Sequence, residues 1–197
     1  MTDRARVFLL VLLVVLVHGV FIPWKGFYMD EWRFIPLWDS APTRTPQALM
    51  TAFNVADFCY YRPLDIPYFS LQYWAFGRAA WAYHLFLLVF DAAAVVLLHA
   101  AWKRASGDAA LALVAALVFA VYPNHSATHH WFSVPFAATA TLFAGALLLQ
   151  LLSARSGGLL TGMLAAVLLA TAVLTYEAVL PLIVLMPALS ALSLRRE

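Results

Sequence analysis

The chain predicts an all-α membrane protein, a polytopic bundle of about six spanning helices with interfacial helices in a long first outer loop. Three features carry that prediction. Of its 197 residues, 64% are hydrophobic and 11% charged, and mean hydropathy is +0.84, whereas soluble domains hold roughly 45–50% apolar and about 25% charged residues. Apolar runs of near-spanning length recur along the chain. Between the first and second of them, Phe21 to Tyr83 concentrates 18 of the 29 aromatic residues, interleaved with five carboxylates from Asp30 to Asp65. The net charge of +2 is small and the basic residues are dispersed, which excludes a nucleic-acid partner. Cys59 is the single cysteine, so no internal disulfide or cysteine-based metal motif is available.

The first apolar run, Val7 to Ile22, follows Arg4 and Arg6 and nearly spans a hydrocarbon core of about 30 Å at about 1.5 Å per residue. Bulky aromatics follow it in place of a small-residue cleavage site, so it is expected to be a retained anchor. The stretch 23–81 is too polar to span, and its amphipathic rings suit the headgroup level. Within it Thr45 can cap a helix with Pro46 at its first position, placing Leu49, Ala52, Phe53 and Ala56 on one face. Such a helix is expected to lie along the membrane surface. Further apolar runs are Trp81 to Trp102, about Ser106 to Tyr122, Pro135 to Leu152, Leu159 to Thr175 and Ala178 to Leu194, the last containing Pro181 and Pro187. Arg4, Arg6, Lys103, Arg104, Arg155, Arg195 and Arg196 then share one face, and the positive-inside rule makes that face, with both termini, cytoplasmic. The chain shows no internal repeat, no phosphate-cradling glycine loop and no domain boundary within 1–197; Gly157-Gly158 is a plain turn.

Several polar residues stand out against this background. Adjacent Asp30 and Glu31, just past the first run, are either a solvated acidic turn or a carboxylate tuned to take a proton. Arg62 has the fork and fixed charge for a phosphate, or meets lipid headgroups. Asp91, mid-run and seven residues after His84, is expected to face protein, either in a helix–helix hydrogen bond or at a site. His125, with His129 and His130, lies in an outward loop that offers ligands for a divalent metal or a phosphate without a firm spacing. Glu177 sits in the short turn Thr175-Tyr176-Glu177, close to the interface, where it could help bind a cation or acceptor.

The order of these features resembles the GT-C superfamily of polytopic glycosyltransferases, and within it the protein O-mannosyltransferase branch. Asp30-Glu31 matches the family's acidic pair, Tyr61-Arg62-Pro63-Leu64 its aromatic-Arg-Pro-Leu element, and Tyr83-His84-Leu85 its Tyr-His-Leu. Tyr122-Pro123-Asn124-His125 meets the His-Pro-x-His-x-Glu loop in part, Thr175-Tyr176-Glu177 before Leu180-Pro181-Leu182 lacks the lysine of the Ser-Lys-Glu turn, and Asp91 stands where relatives often carry His. The resemblance implies that 1–197 is the amino-terminal part of a larger module. It also implies a sugar carried outward on a polyprenyl phosphate and attacked, with inversion, by a hydroxyl of a protein, lipid or glycan acceptor. Asp30 would be the general base and Arg62 would hold the lipid phosphate, with Glu31, His84, Asp91, His125 and Glu177 orienting substrate or cation. Metal dependence stays open. The residues also allow a non-catalytic alternative, a transporter, lipid-binding scaffold or inactive remnant, in which Asp91 and His84 mark an ion path.

Overall fold

The computed structural model of the chain describes residues 1–28, 31–54, 62–122 and 135–194. Asp30, Cys59, and the loop carrying His125, His129 and His130 lie outside the described residues, as do Arg195 and Arg196 and the roles expected of them. The described residues contain helices and no strand. Among the described residues ten α-helices follow in order: α1 Asp3–Val14, α2 Glu31–Asp39, α3 Pro46–Asn54, α4 Asp65–Phe76, α5 Ala80–Ser106, α6 Ala109–Val121, α7 Phe136–Ser156, α8 Leu159–Thr175, α9 Leu180–Ile183 and α10 Leu185–Leu194.

Among the described residues three segments are long and apolar enough to cross a membrane: Asp3–Trp24, Ala80–Ser106 and Phe136–Ser156. The first comprises α1, a wide π-helical turn at Val15–Gly19 and a 3₁₀ turn at Ile22–Trp24. The remaining apolar runs form shorter elements for local reasons. Gly107 takes the left-handed conformation that ends α5, at a φ of 69°, and Asp108 caps α6 by accepting from the amides of Ala110 and Leu111 at 2.7 and 3.1 Å. Ser106, expected to open the third run, therefore closes α5, and α6 keeps only 13 residues. The last run is divided at Val184, between α9 and α10. Pro187 explains the break, since it has no amide to offer the carbonyl of Ile183 and its ring crowds that position.

Small residues let these helices approach closely. Ala112, Ala116 and Ala120 form a buried stripe on α6, and the last two join Leu10, Val14 and Val95 in a core shared with α1 and α5. α7 lies between α5 and α8, and its Thr141 hydroxyl donates across to the Phe90 carbonyl at 2.7 Å. Phe8, Leu16, Val89, Val118, Leu160 and Val167 remain exposed on the outer faces of the bundle, where a bilayer would cover them. At one end Lys103 pairs with Asp3, and Arg155 donates to the Arg104 carbonyl at 3.0 Å. That end gathers the first turn of α1 with the last turns of α5 and α7.

The opposite end carries an aromatic lobe of α2, α3 and α4 seated on the start of α5. Its core is Phe34, Ile35, Trp38, Leu49, Phe69 and Tyr73, packed on Tyr83 and Leu87. Trp38 stacks on Tyr73 at 5.0 Å and Phe34 on Phe69 at 6.1 Å; such pairs add about 0.5–1.5 kcal/mol each beyond their buried area. The expected cap of α3 is present, with Thr45 Oγ1 accepting from Ala48 at 3.3 Å and Leu49 fully buried. Helices α2 and α4 were not placed by the sequence patterning.

Candidate functional site

Two clusters of polar groups occupy the lobe end. The first surrounds the turn that leads from the first spanning segment into α2. The Tyr28 amide donates to Glu31 Oε2 at 2.7 Å, and the Glu31 amide donates back to the Tyr28 carbonyl at 2.8 Å. Glu31 is fully buried, so the carboxylate expected at the catalytic centre is engaged with the backbone of Tyr28. The Trp32 indole N–H holds the Phe27 carbonyl at 2.9 Å, and His84 Nε2 holds the Gly26 carbonyl at 2.9 Å. Because a carbonyl only accepts, His84 carries its proton on Nε2. Phe27 also meets the Tyr83 ring edge-on at 5.7 Å, and Tyr28 meets the His84 ring at 6.4 Å. The first turns of α5 thus grip the chain just ahead of Asp30.

Beneath this turn, His18, Lys25, His84 and Asp91 line one small recess. Burial pulls the Lys25 ammonium below its ordinary value, against the opposing pull of the Asp91 carboxylate. His18 Nε2 donates to the Ala120 carbonyl at 3.0 Å, supplying one of the unbonded carbonyls at the end of α6. The two residues singled out on α5, His84 and Asp91, are therefore brought together, with Lys25 as a cation the sequence had not assigned. An available signal existed: a carboxylate within a spanning helix requires a nearby countercharge, and Lys25 follows directly on the first span.

The second cluster joins residues 115 positions apart. Arg62 donates from Nε to Glu177 Oε2 and from Nη2 to Glu177 Oε1, each at 2.7 Å, a two-bond fork. Its guanidinium lies over the Tyr176 ring, 4.3 Å from the centroid, and the Leu64 amide bonds the Leu174 carbonyl at 3.3 Å. Arg62 holds the Glu177 carboxyl down at about 2. On the other side of the guanidinium, Nη1 is 4.0 Å from Asp65 Oδ2. Asp65 is 1% exposed and its Oδ1 makes no hydrogen bond. Burial pushes that carboxyl up to about 7, with Arg62 opposing and Glu177 reinforcing the shift. Asp65 was not singled out from sequence, although its i, i+3 spacing from Arg62 placed it within reach.

An apolar cavity of about 320 Å³ opens beside this cluster between α5, α7 and the α9–α10 segment. Leu98, Trp102, Phe143, Leu147 and Val179 line it, and Tyr176, the ring beneath Arg62, is part of its wall. A larger cavity of about 620 Å³ between α2 and α3 is lined by residues such as Leu37, Thr45 and Gln47 and, among the described residues, by no ionisable group.

No known family model, curated protein or solved structure matches the chain. Among the described residues no three His, Cys, Asp or Glu side chains converge on a position suited to a metal ion, and His125 lies outside them. A third arrangement fixes the lobe itself. Asp39 at the end of α2 accepts from the Tyr73 hydroxyl and from Arg78, and Arg78 holds its carboxyl below the usual range. Arg44 donates to the Tyr73 carbonyl at 2.9 Å and passes over Gly77. Gly77 has a φ of 56°, and a Cβ there would meet the Arg44 guanidinium at 2.5 Å, so glycine is required twice over.

Proposed function

We propose that the chain is the lipid-donor-binding part of an integral membrane glycosyltransferase of the GT-C type, moving a sugar from a polyprenyl phosphate to an acceptor hydroxyl by inversion. The observation that most supports this is the conjunction of Arg62 with the apolar cavity: a guanidinium fork stands over Tyr176, and Tyr176 walls a cavity of about 320 Å³ inside the helical bundle. A phosphorylated polyprenol has that pairing of chemistries, an anion joined to a long apolar chain. Glu177 fixes the guanidinium through Nε and Nη2 and leaves Nη1 for the phosphate, whose charge grows as the bond to the sugar breaks. Asp30, next in sequence to Glu31, is the general base, and the acceptor is a protein, lipid or glycan hydroxyl. The apolar runs cross the membrane six times with both ends cytoplasmic, and the aromatic lobe faces outward.

The test is donor consumption by the purified protein in lipid nanodiscs, supplied with a polyprenyl-phosphate sugar. Asp30→Asn is expected to lower turnover by about 100-fold to 10,000-fold, the usual contribution of a positioned base. Arg62→Lys retains the charge but loses the fork, and is expected to be severely impaired. Turnover near wild type in both variants would remove the proposal.

A second function, an ion path through the membrane, draws on one specific observation, the grouping of His18, Lys25, His84 and Asp91 around one recess. Ion flux across proteoliposomes that is abolished by Asp91→Asn would favour it.

A further inference from the structure

We propose that Asp65 is the proton donor to the departing lipid phosphate. The proposal rests on the glycosyl transfer set out above, and it begins from how the Arg62 nitrogens are used. Glu177 takes Nε and Nη2. Nη1 faces Asp65 Oδ2 across 4.0 Å, too far for a hydrogen bond. A phosphate oxygen about 2.8 Å from Nη1 and about 2.6 Å from the carboxyl oxygen closes a triangle on that side, both being ordinary charge-assisted distances. One anionic oxygen at that point would bridge the guanidinium and the carboxyl.

Two anionic oxygens do not approach that closely without a proton between them. A phosphodiester has none to give, so the carboxyl must bring it. The surroundings of Asp65 favour the protonated form. The side chain is fully buried and its Oδ1 makes no hydrogen bond, an arrangement that penalises a carboxylate heavily. Facing it are Arg62 from the chain ahead of α4, Glu177 from the turn after α8, and Tyr68 one turn along α4, which also feels Asp91 of α5; Tyr176 acts on Arg62. Of these only Arg62 is positive, and Glu177 already shares it.

The bond between the anomeric carbon and the phosphate oxygen breaks, its electron pair stays with the phosphate, and the Asp65 proton passes to a phosphate oxygen. The acceptor oxygen bonds to the anomeric carbon and its proton goes to Asp30. The lipid leaves as a phosphate monoester, the Asp65 carboxylate is left against Arg62, and it regains a proton from water as the product departs.

Binding of farnesyl methyl phosphodiester, which does not titrate, to the protein in nanodiscs between pH 5 and 9 tests this. Wild-type affinity is expected to be constant at low pH and to fall about tenfold per unit above a midpoint near 7, while Asp65→Asn binds without pH dependence. With a sugar-bearing donor, Asp65→Asn is expected to lower kcat at least about 100-fold with little change in KM. If the amide variant does not fold, Asp65→Glu must move the binding midpoint. A wild-type protein that binds at no pH would defeat the lipid-donor function itself. Binding weakened by Arg62→Lys at every pH, but with the same pH slope in Asp65→Asn or the same midpoint in Asp65→Glu, would overturn Asp65 alone and leave Arg62 in place.

Discussion

Asp65 and Glu177 show how one arginine sets two carboxyls apart. Glu177, half-exposed and bonded twice to Arg62, is held at about 2, whereas buried Asp65, only 4.0 Å from the same guanidinium, rises to about 7. Burial and hydrogen bonding decide the difference, since the cation is common to both. For stability the sign follows from proton binding. Between the ordinary value of 3.8 and the folded value near 7 the native state holds more protons at Asp65 than the unfolded chain, so this group's contribution falls as pH rises through that window and stays low above it. The Tm of wild type relative to Asp65→Asn is therefore expected to be higher at pH 4.5 than at pH 8, as measured by thermal unfolding in detergent; a constant offset would show that Asp65 does not titrate there. Arg62 and Glu177 were both legible as polar residues at an interface, and their meeting was not, because no local pattern links positions 115 apart. Asp65 read as one of five carboxylates in a polar loop; its burial is a product of tertiary packing. Glu31 was legible as half of an acidic pair, but its inward rotamer, which makes it a brace for the turn, was not.

At the level of elements, close helix packing depends on side chains small enough to let backbones meet. Ala112, Ala116 and Ala120 recur every four residues on α6, all of them buried. Ala116→Leu is expected to destabilise the protein by about 1–3 kcal/mol through overpacking against α1 and α5, and Val118→Leu, on the exposed face, to change stability by less than about 0.5 kcal/mol. Equal effects of the two would mean that the α6 stripe is not an interface. Long apolar runs made α1, α5, α7 and α8 easy to recognise, and the Thr45-Pro46 signal placed the start of α3. Their exact ends depend on single residues such as Gly107 and Asp108, which the hydropathy of neighbouring runs obscures. Helices α2 and α4 escaped notice because each contains a proline, Pro36 inside α2 and Pro67 in the first turn of α4, and aromatic residues blur their polar and apolar faces. In each case packing of the rings against Tyr83 and Leu87 overrides weak local propensity.

For the whole molecule, the separation of basic residues at one end from the aromatic lobe at the other sets up a test of orientation. A cysteine introduced at Ser156, beside Arg155 at the basic end, is expected to be protected from a membrane-impermeant thiol reagent in intact cells, and one at Ser40, in the lobe, to react; both are made with Cys59 replaced by Ser. The reverse pattern would invert the proposed topology and place Arg62 and Asp65 on the wrong side for an exported sugar. The bond between Arg62 and Glu177 has a further consequence, for synthesis. At about 5–20 residues per second, the 115 positions from Arg62 to Glu177 take roughly 6–23 s to translate, and during that interval α5 to α8 are being made while Arg62 waits without its carboxylate. The lobe can fold around its own aromatic core early, but the fork closes only when the turn after α8 arrives, so the ion pair forms late and marks the joining of that turn to the start of α4.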